Sequence, residues 1–378
     1  MYSLYDYSNM FGDEVRLAAY SKALKSVITP TSTVLDLGAG SGLYSLIACK
    51  LGAQKVYAID PSYCIQIGKE LAQTNGFADR IEWIQDDSRK VELPEKVDIL
   101  FHDIRGSLPF VGENLAIISD AQNRFLKKDG HLLPQKDTLH IALAKNQSAF
   151  DKAIQPWNSC GEGLDLTPLS KRHAHMWHPC KPKPKQLVSA SKIWTTLNYG
   201  KLDGSNIDNT ITLNCDQDTT VHGFYLWFDA QIVPGVGYSG GPGKKRPTVY
   251  GCGFFPWITP VKMKAGDQAQ IYLKASLVAE DYIWSWHTSI SGSTNTSFKQ
   301  STFNSEIIGL SQLRKRAHSH TPQLNQDGTY QTAALQLMNG QRSLESISKE
   351  LMAKFPRRFP KYNQTLAFVG NLSEKFSL

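Results

Sequence analysis

The chain has no apolar run long enough to cross a bilayer. Its first residues, Met1-Tyr2-Ser3-Leu4-Tyr5-Asp6, lack the basic and apolar segments of a secretory signal. A cytoplasmic protein with no membrane partner is therefore expected. Cysteine is scarce, six scattered through 378 residues, which excludes a disulfide framework. The densest run of metal-ligand types, His173-Ala174-His175-Met176-Trp177-His178-Pro179-Cys180, has no second cysteine pair beside it, and Cys160 is distant. A surface loop is expected there, and no metal. Internal repeats are absent, and low complexity is confined to Lys181-Pro182-Lys183-Pro184-Lys185. One dense glycine turn exists, but no lysine follows it, which excludes a triphosphate-binding loop.

That turn organises the rest. Val34-Leu35-Asp36-Leu37 reads as a buried strand, Gly38, Gly40 and Gly42 as a turn where backbone approaches a ligand, and Leu43–Leu51 as a helix. A glycine-rich strand-to-helix turn is the usual seat of a nucleotide-like cofactor in a doubly wound sheet. Asp36, at the strand end, can accept from a cationic amine. Asp60 closes the next apolar run, Lys55–Ile59, where a carboxylate can hold both hydroxyls of a ribose. An amine, a ribose and no phosphate suit S-adenosylmethionine, with S-adenosylhomocysteine as product; a dinucleotide-binding turn is the alternative. Asp87 and Ser88, at the end of strand Ile81–Gln85, are expected on the cofactor too.

At 378 residues, 41% hydrophobic and 20% charged, the chain should fold as two or three soluble domains. Residues 1–30 read as a helical lead-in stopping near Pro30. Residues 33–145 alternate strand and helix, hence a parallel sheet, with Val97–His102, helix Asn114–Leu126 and an apolar hairpin from His131 to Ala144. Beyond Lys145 come strand-like runs, Asp208–Asn214, His222–Val233, Val249–Ile258, Gln268–Lys274 and Tyr282–Ile290, which predict an all-β barrel or sandwich. From Arg314 onward a hairpin turning at Asn325-Gln326-Asp327-Gly328 and three helices predict a small winged-helix-like unit. Residues 310–378 carry ten Lys and Arg against four acids, a surplus of +6 within a net charge of +7. Such a surplus is either a solvated face or a landing site for an acidic partner.

Over residues 2–310 the chain resembles the protein arginine methyltransferases. Met10-Phe11-Gly12-Asp13-Glu14-Val15-Arg16 is similar to that family's opening helix. Val34–Leu46 and Val56–Asp60 are similar to its donor-binding motifs, with Asp60 where Glu is usual. Val97–Leu100 leads into Asp103-Ile104-Arg105-Gly106, like the start of its loop of two glutamates, and Val261–Asp267 resembles part of its barrel. The resemblance implies a Rossmann-like class I methyltransferase domain over residues 1–145 and a β-barrel substrate and dimerisation domain over 146–313. It further implies that Met10 packs on the donor and that Arg16 pairs with the donor's carboxylate. Asp103 and Glu113 would be the catalytic acids, and Tyr5, Asp13, Arg105 and Tyr250 would lie on the acceptor side. Three departures stand out. The first acid is shortened by a methylene, the spacing between the two acids is one residue longer, and Thr248-Val249-Tyr250 replaces a loop that carries histidine, so Asp13 loses its expected partner. Residues 314–378 resemble the PqqD-like peptide-recognition domains through Leu335–Ile347 and Phe355-Pro356, which implies binding of a peptide leader by strand addition.

Arginine is a poor nucleophile because its charge is delocalised and its proton is held above about pH 12. Two carboxylates can grip its guanidinium and draw charge from the attacking nitrogen. Asp103 and Glu113 are the candidates, and on this reading Glu113→Gln abolishes turnover while donor binding persists. The competing reading makes Glu113 a helix N-terminal acid and Asp103 a ribose-side or solvent acid. The expected activity is N-methylation of a side chain, arginine first, in a peptide or protein such as a ribosomally made precursor with an acidic leader, by a homodimer with no nucleic-acid partner. A small-molecule methyltransferase and a non-catalytic binding protein are the alternatives.

Overall fold

The structure is a computed structural model that describes residues 3–159, 163–202, 204–243, 248–307 and 309–377. It divides into two compact units, Met1–Glu306 and Ile307–Leu378.

The first unit begins with helices α1 (Leu4–Phe11) and α2 (Glu14–Val27). Strands β1 (Thr33–Leu37), β2 (Lys55–Ile59), β3 (Ile81–Ile84), β4 (Val97–His102) and β5 (Leu126–Leu133) follow, with helices α3 (Leu43–Lys50), α4 (Ile65–Thr74) and α5 (Asn114–Phe125) between them. The strands form one parallel sheet in the order β3-β2-β1-β4-β5. β1 is buried along its whole length, as a strand covered on both faces must be, and Asp36 is its one charged residue. Winding reverses at β1, between β2 and β4, so a crevice opens at the carboxyl ends of these strands.

One expectation fails at the end of this sheet. His131–Ala144 is not a hairpin: β5 closes the parallel sheet, whereas β6 (Lys136–Ala144) pairs with strands of the next one. The chain changes sheets at Pro134 and Gln135, inside the stretch expected to form one hairpin. A hairpin and two strands in separate buried sheets show the same apolar pattern.

After β6 come α6 (Gln147–Ser159), α7 (Thr167–His173), β7 (His178–Cys180), β8 (Lys192–Asn198), β9 (Ile207–Asn214), β10 (Thr219–Val233), β11 (Val236–Ser239), β12 (Cys252–Met263), β13 (Gln268–Val278), β14 (Asp281–Ser291) and β15 (Thr296–Ser301). They build two antiparallel sheets, β7-β12-β10-β6-β8 with β11 added to β10, and β15-β14-β13-β9. Inward residues of both sheets, among them Trp194, Phe224, Phe255, Trp284 and Trp286, pack into one core that continues into the parallel sheet. Ring pairs such as Phe110–Trp284 and Phe255–Trp286 meet edge to face. The His173–Cys180 run is not a plain loop: α7 ends in it and β7 lies on β12. His173 stacks on His178, and no group of three or more His, Cys, Asp or Glu converges among the described residues.

The second unit contains α8 (Leu310–Arg316), α9 (Gln326–Leu337), α10 (Leu344–Lys354) and α11 (Tyr362–Phe376), and no strand among its described residues. The last three bury Ala334, Ile347, Leu351, Phe359 and Val369 in a core of their own. The expected hairpin, and with it the winged-helix-like form, is replaced by a helix start. The Asn325 side chain accepts from the Gly328 N–H (2.8 Å) and caps α9, so the turn signal is an N-cap.

Candidate functional site

A cavity of about 460 Å³ lies where the crevice opens. Its floor is the glycine turn. Gly38, Gly40 and Gly42 all have positive φ (75°, 54° and 77°), yet they serve different neighbours. A Cβ on Gly38 would lie 2.2 Å from Ile104, and one on Gly40 would lie 3.1 Å from the Tyr7 ring. At Gly42 a Cβ would strike Trp83 at 2.2 Å, as it would at Gly68 (2.4 Å). Gly42 is therefore needed for the packing of Trp83 and the start of α3, and it does not line the cavity.

Asp36 faces the cavity from β1. Its carboxylate accepts from Ser45 Oγ at 2.6 Å, and burial pushes its carboxyl up to about 7, with the Ser45 contact opposing that rise. A buried carboxyl of this kind is completed by a cation. Arg16, from the first turn of α2, lines the same cavity. Burial alone would weaken its hold on the proton, but the Asp103 carboxylate keeps it well above the usual guanidinium value. Its Nη2 donates to the Met10 carbonyl (2.7 Å), which ties α1 to the site. Asp60 closes β2, and its Oδ2 receives the Gly40 N–H at 2.7 Å while Oδ1 receives the Ser62 N–H at 2.8 Å. Asp87 and Ser88 line the far end, with Asp87 held by Arg89 at 2.7 Å.

The side of the cavity around Asp103 is built differently from the expectation. Asp103, just past β4, receives Arg105 Nη2 (3.0 Å) and Tyr250 Oη (2.8 Å) on Oδ1 and Arg16 Nη1 (2.7 Å) on Oδ2; Tyr20 Oη lies 3.1 Å from Oδ1 but nearer the His102 carbonyl, at 2.8 Å. Arg105 does not point at an acceptor. Its side chain is 1% exposed, and its Nη1 reaches both Asp137 oxygens, at 2.6 and 2.8 Å. It also donates to Tyr20 and Tyr238 and lies over the rings of Phe228, Tyr238 and Tyr250. Tyr199 completes the cluster with a 2.7 Å bond to Asp137.

Glu113 does not join Asp103. It sits outside the cavity lining and accepts from Arg89 at 2.7 Å, with its side chain 36% exposed. Asn114 bridges the ends of the 103–113 loop by donating to the Ile104 carbonyl (2.7 Å), and Val111 lines the cavity near the loop's far end. Tyr5 is exposed, whereas Tyr7 and Phe11 from the same helix reach the cavity. Asp13 is not without a partner. It caps α2 through the Arg16 N–H (3.0 Å) and accepts the Val249 N–H (2.8 Å), a backbone donor in the loop that lacks the histidine. Met10, Arg16, Asp36, Gly38, Gly40, Asp60, Asp87, Ser88, Asp103, Arg105 and Tyr250 are brought together around the cavity; Tyr5, Asp13, Gly42 and Glu113 are not. Asp137, Tyr20, Tyr238 and Tyr7 escaped the sequence reading. A signal existed for Asp137, which alternates in phase with Leu139 and Ile141, both fully buried.

Fold and cavity together define a Rossmann-like class I methyltransferase fold extended by antiparallel sheets. A family profile described as ribosomal protein L11 methyltransferase (PrmA) matches residues 20–133. More specifically, the chain is related to the protein arginine methyltransferases. Protein arginine N-methyltransferase 1.1 of Arabidopsis thaliana is 28% identical over 252 residues, 64% of this chain and 64% of its own length. The histone-arginine methyltransferase CARMER of Drosophila ananassae is 30% identical over 236 residues, 59% of this chain and 44% of its own. The chain thus spans less than two thirds of the length of these relatives. A Trypanosoma brucei PRMT1 chain, solved in an enzyme-prozyme heterotetrameric complex with AdoHcy, has a TM-score of 0.72 at 22% identity, covering 78% of this chain and 97% of its own. Protein arginine methyltransferase 10 of Arabidopsis thaliana gives 0.70 at 22% identity, covering 79% and 97%.

Proposed function

We propose that this protein is an S-adenosylmethionine-dependent methyltransferase that methylates a side-chain nitrogen of a protein or peptide. The observation that carries the reading is the placement of a buried carboxylate, Asp36, and a guanidinium, Arg16, on one cavity above a glycine turn. This pair matches the ammonium and carboxylate of an amino-acid tail, and Asp60 stands where a ribose would lie. A dinucleotide fits poorly, because Asp36, Asp60, Asp86, Asp87 and Asp103 all line the cavity and would repel a pyrophosphate. When bound, S-adenosylmethionine supplies an electrophilic methyl group on sulfur. The chain's own residues orient it: Met10, Tyr7 and Phe11 cover it from α1, Asp36 and Arg16 fix its tail, and Asp103 faces the acceptor.

Names of the relatives put arginine first among acceptors on likeness alone; the geometry around Asp103 narrows that choice. The +6 surplus of residues 310–378 supports docking of an acidic segment of the partner, a precursor peptide with an acidic leader included. Strand addition to a PqqD-like edge has lost its support, since the unit is helical among its described residues. Incubation with labelled S-adenosylmethionine and candidate peptides tests the reading, and label on a peptide side chain is expected. Label only on a free metabolite would favour a small-molecule enzyme, and donor binding without transfer to any acceptor would favour a binding protein.

A further inference from the structure

We propose that Arg105 and Arg16 hold the two oxygens of Asp103 that a substrate guanidinium would need, so that the acceptor site selects a neutral side chain offering a single N–H, an imidazole, over a guanidinium. The inference rests on the reading above and narrows its substrate class.

A carboxylate offers about four lone-pair sites. Tyr20 has one hydroxyl hydrogen, and the His102 carbonyl (2.8 Å) lies nearer to it than Asp103 Oδ1 (3.1 Å), so Oδ1 takes Arg105 and Tyr250 whereas Oδ2 takes only Arg16. One acceptor position remains, on Oδ2, at the cavity wall. An arginine substrate presents a planar fork that needs two adjacent oxygens. Here each oxygen already holds one of the protein's own guanidiniums, Oδ1 that of Arg105 and Oδ2 that of Arg16. Arg105 is anchored from behind by Asp137, which is 0% exposed, so the Asp103 site does not empty without leaving a buried carboxylate unpaired. Charge points the same way. Arg16 and Arg105 balance Asp103 and Asp137, and Glu113, which could have added a negative charge, is paired with Arg89 outside the cavity. Glu113 therefore adds no second carboxylate beside Asp103 to share the charge of a guanidinium.

An imidazole fits what remains. It is largely uncharged near pH 7, with one N–H and one nitrogen lone pair. Its N–H donates to Asp103 Oδ2 while the other nitrogen faces the methyl group. The N–CH3 bond forms as the C–S bond breaks, and the sulfonium's positive charge passes to the ring. The ring N–H, held on Asp103, then releases its proton to water.

The test needs no knowledge of the natural peptide. Two adenosine amino-acid conjugates are compared with S-adenosylhomocysteine by calorimetry on the full chain. In one a linker at the sulfur position ends in imidazole; in the other a linker of equal length ends in guanidine. The imidazole conjugate should bind at least about tenfold tighter than the guanidine conjugate, the scale set by leaving a polar group unmatched. In Arg105→Leu combined with Asp137→Asn, which removes the buried pair together, the preference should shrink or reverse. Equal or tighter binding of the guanidine conjugate to the unaltered protein overturns the proposal. So does binding of both conjugates no tighter than S-adenosylhomocysteine. Failure of S-adenosylhomocysteine itself to bind would remove the underlying methyltransferase reading, and this proposal with it.

Discussion

Asp36 sets the pH behaviour of the donor site. Burial pushes its carboxyl up to about 7, so the folded protein without ligand favours the neutral form. The stability this gives is fully present below the ordinary aspartate value of about 4 and is lost as pH rises through about 7. Donor binding has the opposite sign, because the ammonium of the donor needs the carboxylate. Affinity for S-adenosylhomocysteine should therefore fall about twentyfold between about pH 7.5 and about pH 5.5, and Asp36→Asn should flatten that dependence in a calorimetric titration. Glu113 provides the contrasting case. Its half-exposed pairing with Arg89 predicts that Glu113→Gln keeps turnover within about threefold. Asp103→Asn should lower turnover by about 100-fold or more. The sequence reading put the two acids on equal terms because each lies near the end of the loop after β4. Which one turns inward depends on Tyr20, Tyr250, Arg16 and Arg89, donors scattered from α2 to the segment before β12, and loop spacing does not encode them.

The elements that were most legible are those whose pattern has one solution. Strands β1, β2 and β4, and helices α3 and α5, fall where periodicity placed them, and so does the glycine turn. The turn's internal division of labour was hidden, since nothing local says that Gly42 and Gly68 leave room for Trp83. Gly42→Ala should cost about 1–3 kcal/mol by thermal denaturation, from overpacking and positive φ together. The same change at Gly52, also at positive φ but with nothing within 4 Å of its Cβ, should cost less. Helix α1 buries none of its residues, yet it supplies Tyr7, Met10 and Phe11 to the cavity. Tyr7→Ala should accordingly weaken donor binding while moving the melting temperature little. The phase of so short a helix is set by its Ser3–Asp6 capping box, which is why Tyr7 rather than Tyr5 faces inward.

At the scale of the whole molecule the two units have separate cores, one continuous through both halves of residues 1–306 and one confined to α9, α10 and α11. Ending the chain after Glu306 should leave affinity for S-adenosylhomocysteine unchanged within about twofold, since the lining of the cavity is complete without the rest. The same truncation should weaken binding of an acidic peptide if the basic surplus docks it, and equal peptide affinity would remove that role. The alternation of strand and helix made the parallel sheet readable. The change of sheet at Pro134 was not, because two buried strands in sequence look alike whether or not they pair. The second unit misled for a local reason: Asn325-Gln326-Asp327-Gly328 suits a hairpin turn, but Asn325 caps a helix. The most direct test of the whole account is a calorimetric titration of the full chain with S-adenosylhomocysteine near neutral pH, beside Asp36→Asn and Arg16→Leu. One site per chain, weakened about tenfold or more by each substitution, is the predicted result. Absence of binding to the unaltered protein, or binding that neither substitution changes, would contradict it.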